Sequence, residues 1–113
     1  MMDEAGAHAD LVRRAVASLE AAYQAVLRAI ADIHDPDTAF AASSEVSDRL
    51  RKMREEVGDI RTRIVGEIWR TEELSLGKLA TRIGVSKTRA AELTQAAKQL
   101  RDQDEGGEEG NSE

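Results

Sequence analysis

The sequence predicts an all-α fold, a long antiparallel, coiled-coil-like helical hairpin that leads into a C-terminal trio of shorter helices. Three observations predict it. Ala, Leu, Glu and Arg are abundant, with a single Pro and no Cys, a composition that favours helix and rules out a disulfide framework. Two stretches of apolar residues recur at alternating spacings of three and four, separated by one short break at a proline. Residues 75–100 then give a short amphipathic segment, a glycine turn and a longer amphipathic segment.

Residues 1–7 are small and acidic and read as a flexible N-terminus, or as a first helical turn on which Asp3, Glu4 and Asp10 carry favourable charge. The hairpin occupies residues 8–64. Its first arm carries Val12, Val16, Leu19, Tyr23, Val26, Ile30 and Ile33, a heptad seam flanked mostly by alanine. The pattern stops at His34. Pro36 disfavours helical geometry at Asp35, suits a first helical position itself, and leaves Asp35 or Asp37 to cap the second arm. So short a break predicts antiparallel arms.

The second arm repeats the seam with Val46, Leu50, Met53, Val57, Ile60 and Ile64. Its polar face bears Arg49, Arg51, Lys52, Arg54, Arg61 and Arg63. Acid and base stand four apart at Glu45 and Arg49, Asp48 and Lys52, Arg51 and Glu55, Lys52 and Glu56, Asp59 and Arg63, and Arg63 and Glu67. That spacing predicts a solvated face laced with ion pairs rather than a second nucleic-acid patch.

Near Ile64 the single stripe widens into Ile64 and Val65, then Ile68 and Trp69. A helix needs two rows when it packs against two neighbours. The last turns of the long arm are therefore expected to double as the first helix of the C-terminal domain, residues 65–101, with Val65 and Trp69 closing over Leu79, Ile83, Val85 and Leu93. A separate helix after a break at Gly66 is the alternative.

A hairpin of this length leaves apolar rows uncovered. At about 25 cal/mol per Å² removed from water, pairing two hairpins into a four-helix bundle adds many kcal/mol. The expected assembly is a homodimer, with Val12, Val16, Leu19, Tyr23, Val26, Ile30, Val46, Leu50, Met53, Val57 and Ile60 as its seam.

Within residues 75–100, Leu76, Leu79, Ala80 and Ile83 hold helical spacing, Gly84 interrupts, Ser86 stands where an N-cap belongs, and Ala90, Leu93 and Ala97 continue the apolar side. This is the layout of a helix-turn-helix. The segment resembles the bacterial helix-turn-helix superfamily in its three-helix form, as in sigma-factor region 4 and resolvase-type domains. Ala80 matches the small-residue position, Gly84 the turn, Gly84-Val85-Ser86 the frequent tripeptide, and Leu79, Ile83, Ala90 and Leu93 the core. Ala90 departs from the Val or Ile more common there.

The net charge of -6 argues against nucleic acid until its distribution is considered. From Ser75 to Arg101, six bases (Lys78, Arg82, Lys87, Arg89, Lys98 and Arg101) face one acid, Glu92, a local charge of +5. Phosphates respond to the field within about 8 to 10 Å at physiological salt, so the basic segment acts as a footprint on an acidic protein. The tail, residues 102–113, holds six acids and no base and is expected to be disordered. Its expected role is solubility, or competition with phosphate for the basic helices.

If the helix beginning at Lys87 buries Ala90, Leu93 and Ala97, its other face presents Lys87, Thr88, Glu92 and Gln95 as candidate base contacts. Ser75, Lys78, Arg82, Ser86 and Arg89 are the candidate phosphate contacts, with capping the stronger expectation for Ser86. His8 and His34 lack metal-ligand spacing, the serines lack an activating base, and no glycine-rich phosphate loop is present, so neither catalysis nor a cofactor is expected. No apolar run approaches the roughly 20 residues that span a bilayer, so the expected location is the cytoplasm, at the nucleoid. The reading is a dimeric transcriptional regulator of double-stranded DNA whose site is an inverted repeat. The alternative is a protein-interaction adaptor, sigma-like or partition-type, that contacts RNA polymerase or another protein and assembles through the hairpin.

Overall fold

The computed structural model describes residues 4–110. They form four helices, α1 (Glu4–Ala31), α2 (Pro36–Thr71), α3 (Leu76–Ile83) and α4 (Lys87–Gly110). The fold is all-α, with no strand among the described residues. None of these helices is long and apolar enough to cross a membrane. The chain divides into two compact units, Met1–Arg49 and Leu50–Glu113. That division falls inside α2, earlier than the boundary at residue 64 that the apolar seam suggests.

In the first unit α1 already begins at Glu4, within the stretch read as a flexible N-terminus; residues 1–3 lie outside the described residues. The connection ends on Asp35, whose carboxylate accepts from the Thr38 backbone N–H at 2.9 Å and from the Thr38 hydroxyl at 2.6 Å. Asp35 is thus the N-cap of α2 and Pro36 its first helical residue. The two hydrogen bonds from Thr38, side chain first, hold the Asp35 carboxyl below the usual carboxylate range. No residue of α1 is buried. Half-buried apolar positions, Val26, Ile30, Ile33, Ala39, Ala42 and Val46, flank the connection, and Val12, Val16, Leu19 and Tyr23 are exposed.

The second unit holds the core. α2 runs unbroken through Gly66 to Thr71, so its last turns continue the long arm. It ends with Glu73 in the left-handed region at φ 50° and the Leu74 N–H reaching the Trp69 carbonyl, a termination in which glycine is the usual residue. Ser75 caps α3, accepting from the Lys78 N–H at 3.2 Å. Gly84 closes α3 at φ 73°, and Val85 donates to the Ala80 carbonyl at 3.0 Å. A side chain at Gly84 would bring its Cβ against the following carbonyl, so the turn requires glycine.

Val65 of α2, Leu79 and Ala80 of α3, and Ala90 and Leu93 of α4 form the buried cluster, with Ile68, Leu74, Ile83 and Val85 packed against it. Leu79 is fully shielded from water, worth about 1.5 to 3 kcal/mol on its own. Thr94 is the buried polar side chain among the described residues, and its hydroxyl donates to the Ala91 carbonyl at 2.8 Å. Trp69 does not join the cluster as expected. It is 37% exposed and lines, with Gly66, Leu74, Ala97 and Lys98, an open groove of about 750 Å³ between α2 and α4. Ile68, one position earlier, packs on the core instead.

The tail also differs from expectation. Where disorder is predicted from residue 102, α4 continues to Gly110, and residues 111–113 lie outside the described residues. Two exposed ion pairs lie along the first of the added turns. Arg101 pairs with Glu105 one turn on, at 3.5 Å. Arg63 of α2 donates two hydrogen bonds to the Asp104 carboxylate, each 3.1 Å, a fork that fixes orientation better than a single contact.

Candidate nucleic-acid interface

The exposed face of α4 is set by its buried one. Ala90, Leu93, Thr94 and Ala97 are buried, and at about 100° per residue Thr88, Glu92 and Gln95 lie opposite that stripe, with Lys87 and Arg89 on its two flanks. All five are exposed. Ser86 caps the helix by accepting from the Arg89 N–H at 3.0 Å, and the Ala90 N–H reaches the Ser86 carbonyl at 2.9 Å. Candidate base contacts therefore share one solvent-facing side near the helix start. Its N–H groups and unpaired Lys87 make that end electropositive.

The candidate phosphate contacts fall into three kinds. Lys78 and Lys87 have no described carboxylate against them. Arg82 and Arg89 are each engaged, Arg82 with Glu72 across the loop and Arg89 with Glu92 at 3.2 Å. The hydrogen bond to Glu72, and then its charge, raise the Arg82 pKa further, leaving it a fixed cation. Ser75 and Ser86 each use the side-chain oxygen as a cap. Glu92, a candidate acceptor for a base edge, instead holds Arg89 in place. Both arginine pairs are exposed, and pairs of that kind are held weakly enough for a phosphate to displace the carboxylate.

Among the described acids of the extension, Asp104 stands far from this end. Asp104 lies 17 residues beyond Lys87 on one helix, about 25 Å at 1.5 Å per residue, more than two screening lengths at physiological salt. Asp104 pairs with Arg63 of α2 rather than with a base at the start of α4.

The polar face of α2 is exposed to solvent, as its charge spacing predicts. Of the six ion pairs its spacing predicts, Arg51 with Glu55 forms, at 3.0 Å, and Arg63 turns to Asp104 instead. Arg54 and Arg61 face no described carboxylate partner. Arg51, Arg54, Glu55, Gly58, Asp59, Arg61 and Thr62 line an open groove of about 440 Å³ whose other wall is Arg89 and Leu93 of α4. Arg51, Arg54 and Arg61 recur on one helical side, with Gly58 between them.

Of the eleven seam residues, Val26, Ile30 and Val46 are half-buried and Val12, Val16, Leu19, Tyr23, Leu50, Met53, Val57 and Ile60 are exposed. Within one chain most of the seam is open to solvent. Among the described residues no group of three or more His, Cys, Asp and Glu is placed to hold a metal ion. No protein-family model matches the chain, and neither a curated protein nor a solved structure is significantly similar to it.

Proposed function

We propose that the protein binds double-stranded DNA as a homodimeric transcriptional regulator of the helix-turn-helix type, with the last turns of α2, α3 and α4 as its trihelix and residues 87–100 of α4 as the reading helix. One observation carries the reading: Thr88, Glu92 and Gln95 stand together opposite the buried stripe of α4, flanked by Lys87 and Arg89. A helix so arranged fits the major groove, about 12 Å wide, with its N-terminal residues at the base edges. Lys87 then donates to guanine, Gln95 pairs with adenine, Thr88 meets a thymine methyl or base edge, and Glu92 accepts from cytosine once Arg89 turns to phosphate. Lys78, Arg82, Arg89, Ser75 and Ser86 set the module on the backbone.

The open seam on α1 and α2 supports assembly through a second copy. Rows of exposed Val, Leu, Met and Ile at heptad spacing are costly in water and are covered when two such chains pair. Dimeric binding to an inverted repeat and residence at the nucleoid are consequences of this reading.

The same rows favour a second reading, a protein-interaction adaptor that assembles through its long helices. Mobility shift of a random-sequence duplex with increasing salt separates the two. A DNA-binding protein gives retardation with a steep salt dependence that weakens in Lys87→Ala and Arg89→Ala. Absence of retardation at 50 mM salt, a condition under which phosphate contacts are strong, rejects DNA in favour of the adaptor.

A further inference from the structure

The groove between α2 and the start of α4 has no role in a DNA-binding mode that uses α3 and α4 alone. Arg54 and Arg61 lie two turns apart on one side of α2, and Gly58 between them leaves the floor open, with nothing within 4 Å of where a Cβ would stand. Glu55 is already taken by Arg51, so Asp59 is the one acid of the groove left against Arg54 and Arg61. Arg89 forms the far wall, on the flank of α4 away from Lys87. Guanidinium forks match phosphate oxygens in pairs, and their charge cannot be titrated away.

We propose that this groove holds the sugar-phosphate backbone of one DNA strand, with Arg54 and Arg61 of the long helix as phosphate contacts continuous with Arg89. The inference rests on the DNA-binding reading and extends it from the trihelix to the shaft of α2. A reading helix in the major groove has a strand on either side. Lys87 faces one of them, and the other is carried past Arg89 into the groove. The contacts add affinity without sequence preference, since phosphates carry no base information. Neither arginine has an acid three or four positions away along α2, so both are left available to a phosphate.

The test uses the full-length chain and a random-sequence duplex several helical turns long, with affinity followed from 50 to 200 mM salt. Removing two phosphate contacts lowers the slope of log affinity on log salt by about 1.8. The loss across that range in Arg54→Ala/Arg61→Ala is then about tenfold smaller than in the wild type. Arg54→Lys/Arg61→Lys, which keeps the charge, retains most of the slope. Both arginines are exposed, and circular dichroism checks that the helices are unchanged. If the double alanine variant keeps the wild-type slope while Lys87→Ala lowers it, the groove proposal is overturned and the α4 reading stands. If the wild type itself shows no salt-dependent retardation, both fall together.

Discussion

Gly66 of α2 lies so close to Ala97 of α4 that a Cβ built on the glycine would stand 2.5 Å from the alanine Cβ. The two helices cross at this point, with one groove on either side. An alanine methyl has no rotamer with which to yield, so Gly66→Ala must move backbone. Overpacking of that kind costs about 1 to 3 kcal/mol, against roughly 1 kcal/mol of helix propensity gained. The expected net effect is a Tm lowered by several degrees in thermal denaturation. Ala97→Gly added to Gly66→Ala recovers part of it; no recovery would show that the crossing is not the cause.

Two left-handed residues predict opposite outcomes. Gly84→Ala forces a Cβ into φ 73° and is expected to cost about 1 to 2 kcal/mol. Glu73→Gly relieves a non-glycine residue at φ 50° and is expected to stabilise by about half to 1 kcal/mol, after the added freedom of the unfolded chain is deducted. Chemical denaturation of both variants checks the pair.

The cap at Asp35 gives a pH dependence with a definite sign. Its folded pKa lies below the ordinary 3.8, so the cap contributes in full above that value and is lost as the pH falls through 3.8 and then through the lower folded value. NMR titration of the Asp35 carboxyl should show the depressed midpoint. Thr38→Val should return it part of the way, because the backbone N–H of residue 38 still donates.

The seam predicts concentration-dependent behaviour. Met53 and Val57 are 50% and 65% exposed in the single chain, so Val57→Glu should leave an isolated chain nearly unaffected and abolish dimerisation. Sedimentation reads the mass, and a wild-type Tm that rises with concentration reads the coupling. A wild type that sediments as a monomer at all accessible concentrations would falsify the seam as a dimer interface.

Contacts to bases and to phosphates should separate in binding data. Gln95→Ala is expected to cost about 1 to 3 kcal/mol on the preferred site and to relax selectivity at one base pair. Lys78→Ala should weaken all duplexes alike and lower the salt slope by about one. Selection of bound sequences with each variant distinguishes the two.

What was legible in the sequence was local. Ser86 and Gly84 are placed by short-range backbone chemistry, and the structure has them capping and ending the helices expected. The start of α2 is read from Asp35 and Pro36 for the same reason. The buried side of α4 is given by the spacing of Ala90, Leu93 and Ala97, although Thr94 joins it because its hydroxyl can bond its own helix. Features that depend on where helices meet were not legible. Gly66 reads alone as a weak break, yet it is the point of closest approach to Ala97. Trp69 reads as core but borders a groove. Residues 102–110 read as disordered because their composition is acidic and glycine-rich, while the contact that attaches them comes from Arg63, 41 positions earlier. The polar face of α2 reads as self-paired because spacing cannot show which partner an arginine takes.

Leu79 is the one large side chain fully shielded from water among the described residues, and this bears on how long a copy of the protein lasts. A small interior leaves a small free-energy gap between closed and open chains, and opened chains are what proteases cut. Anything that binds only the closed form lengthens its life by mass action. A ligand or second copy that bound the closed form alone would lower the open, protease-sensitive fraction of the protein.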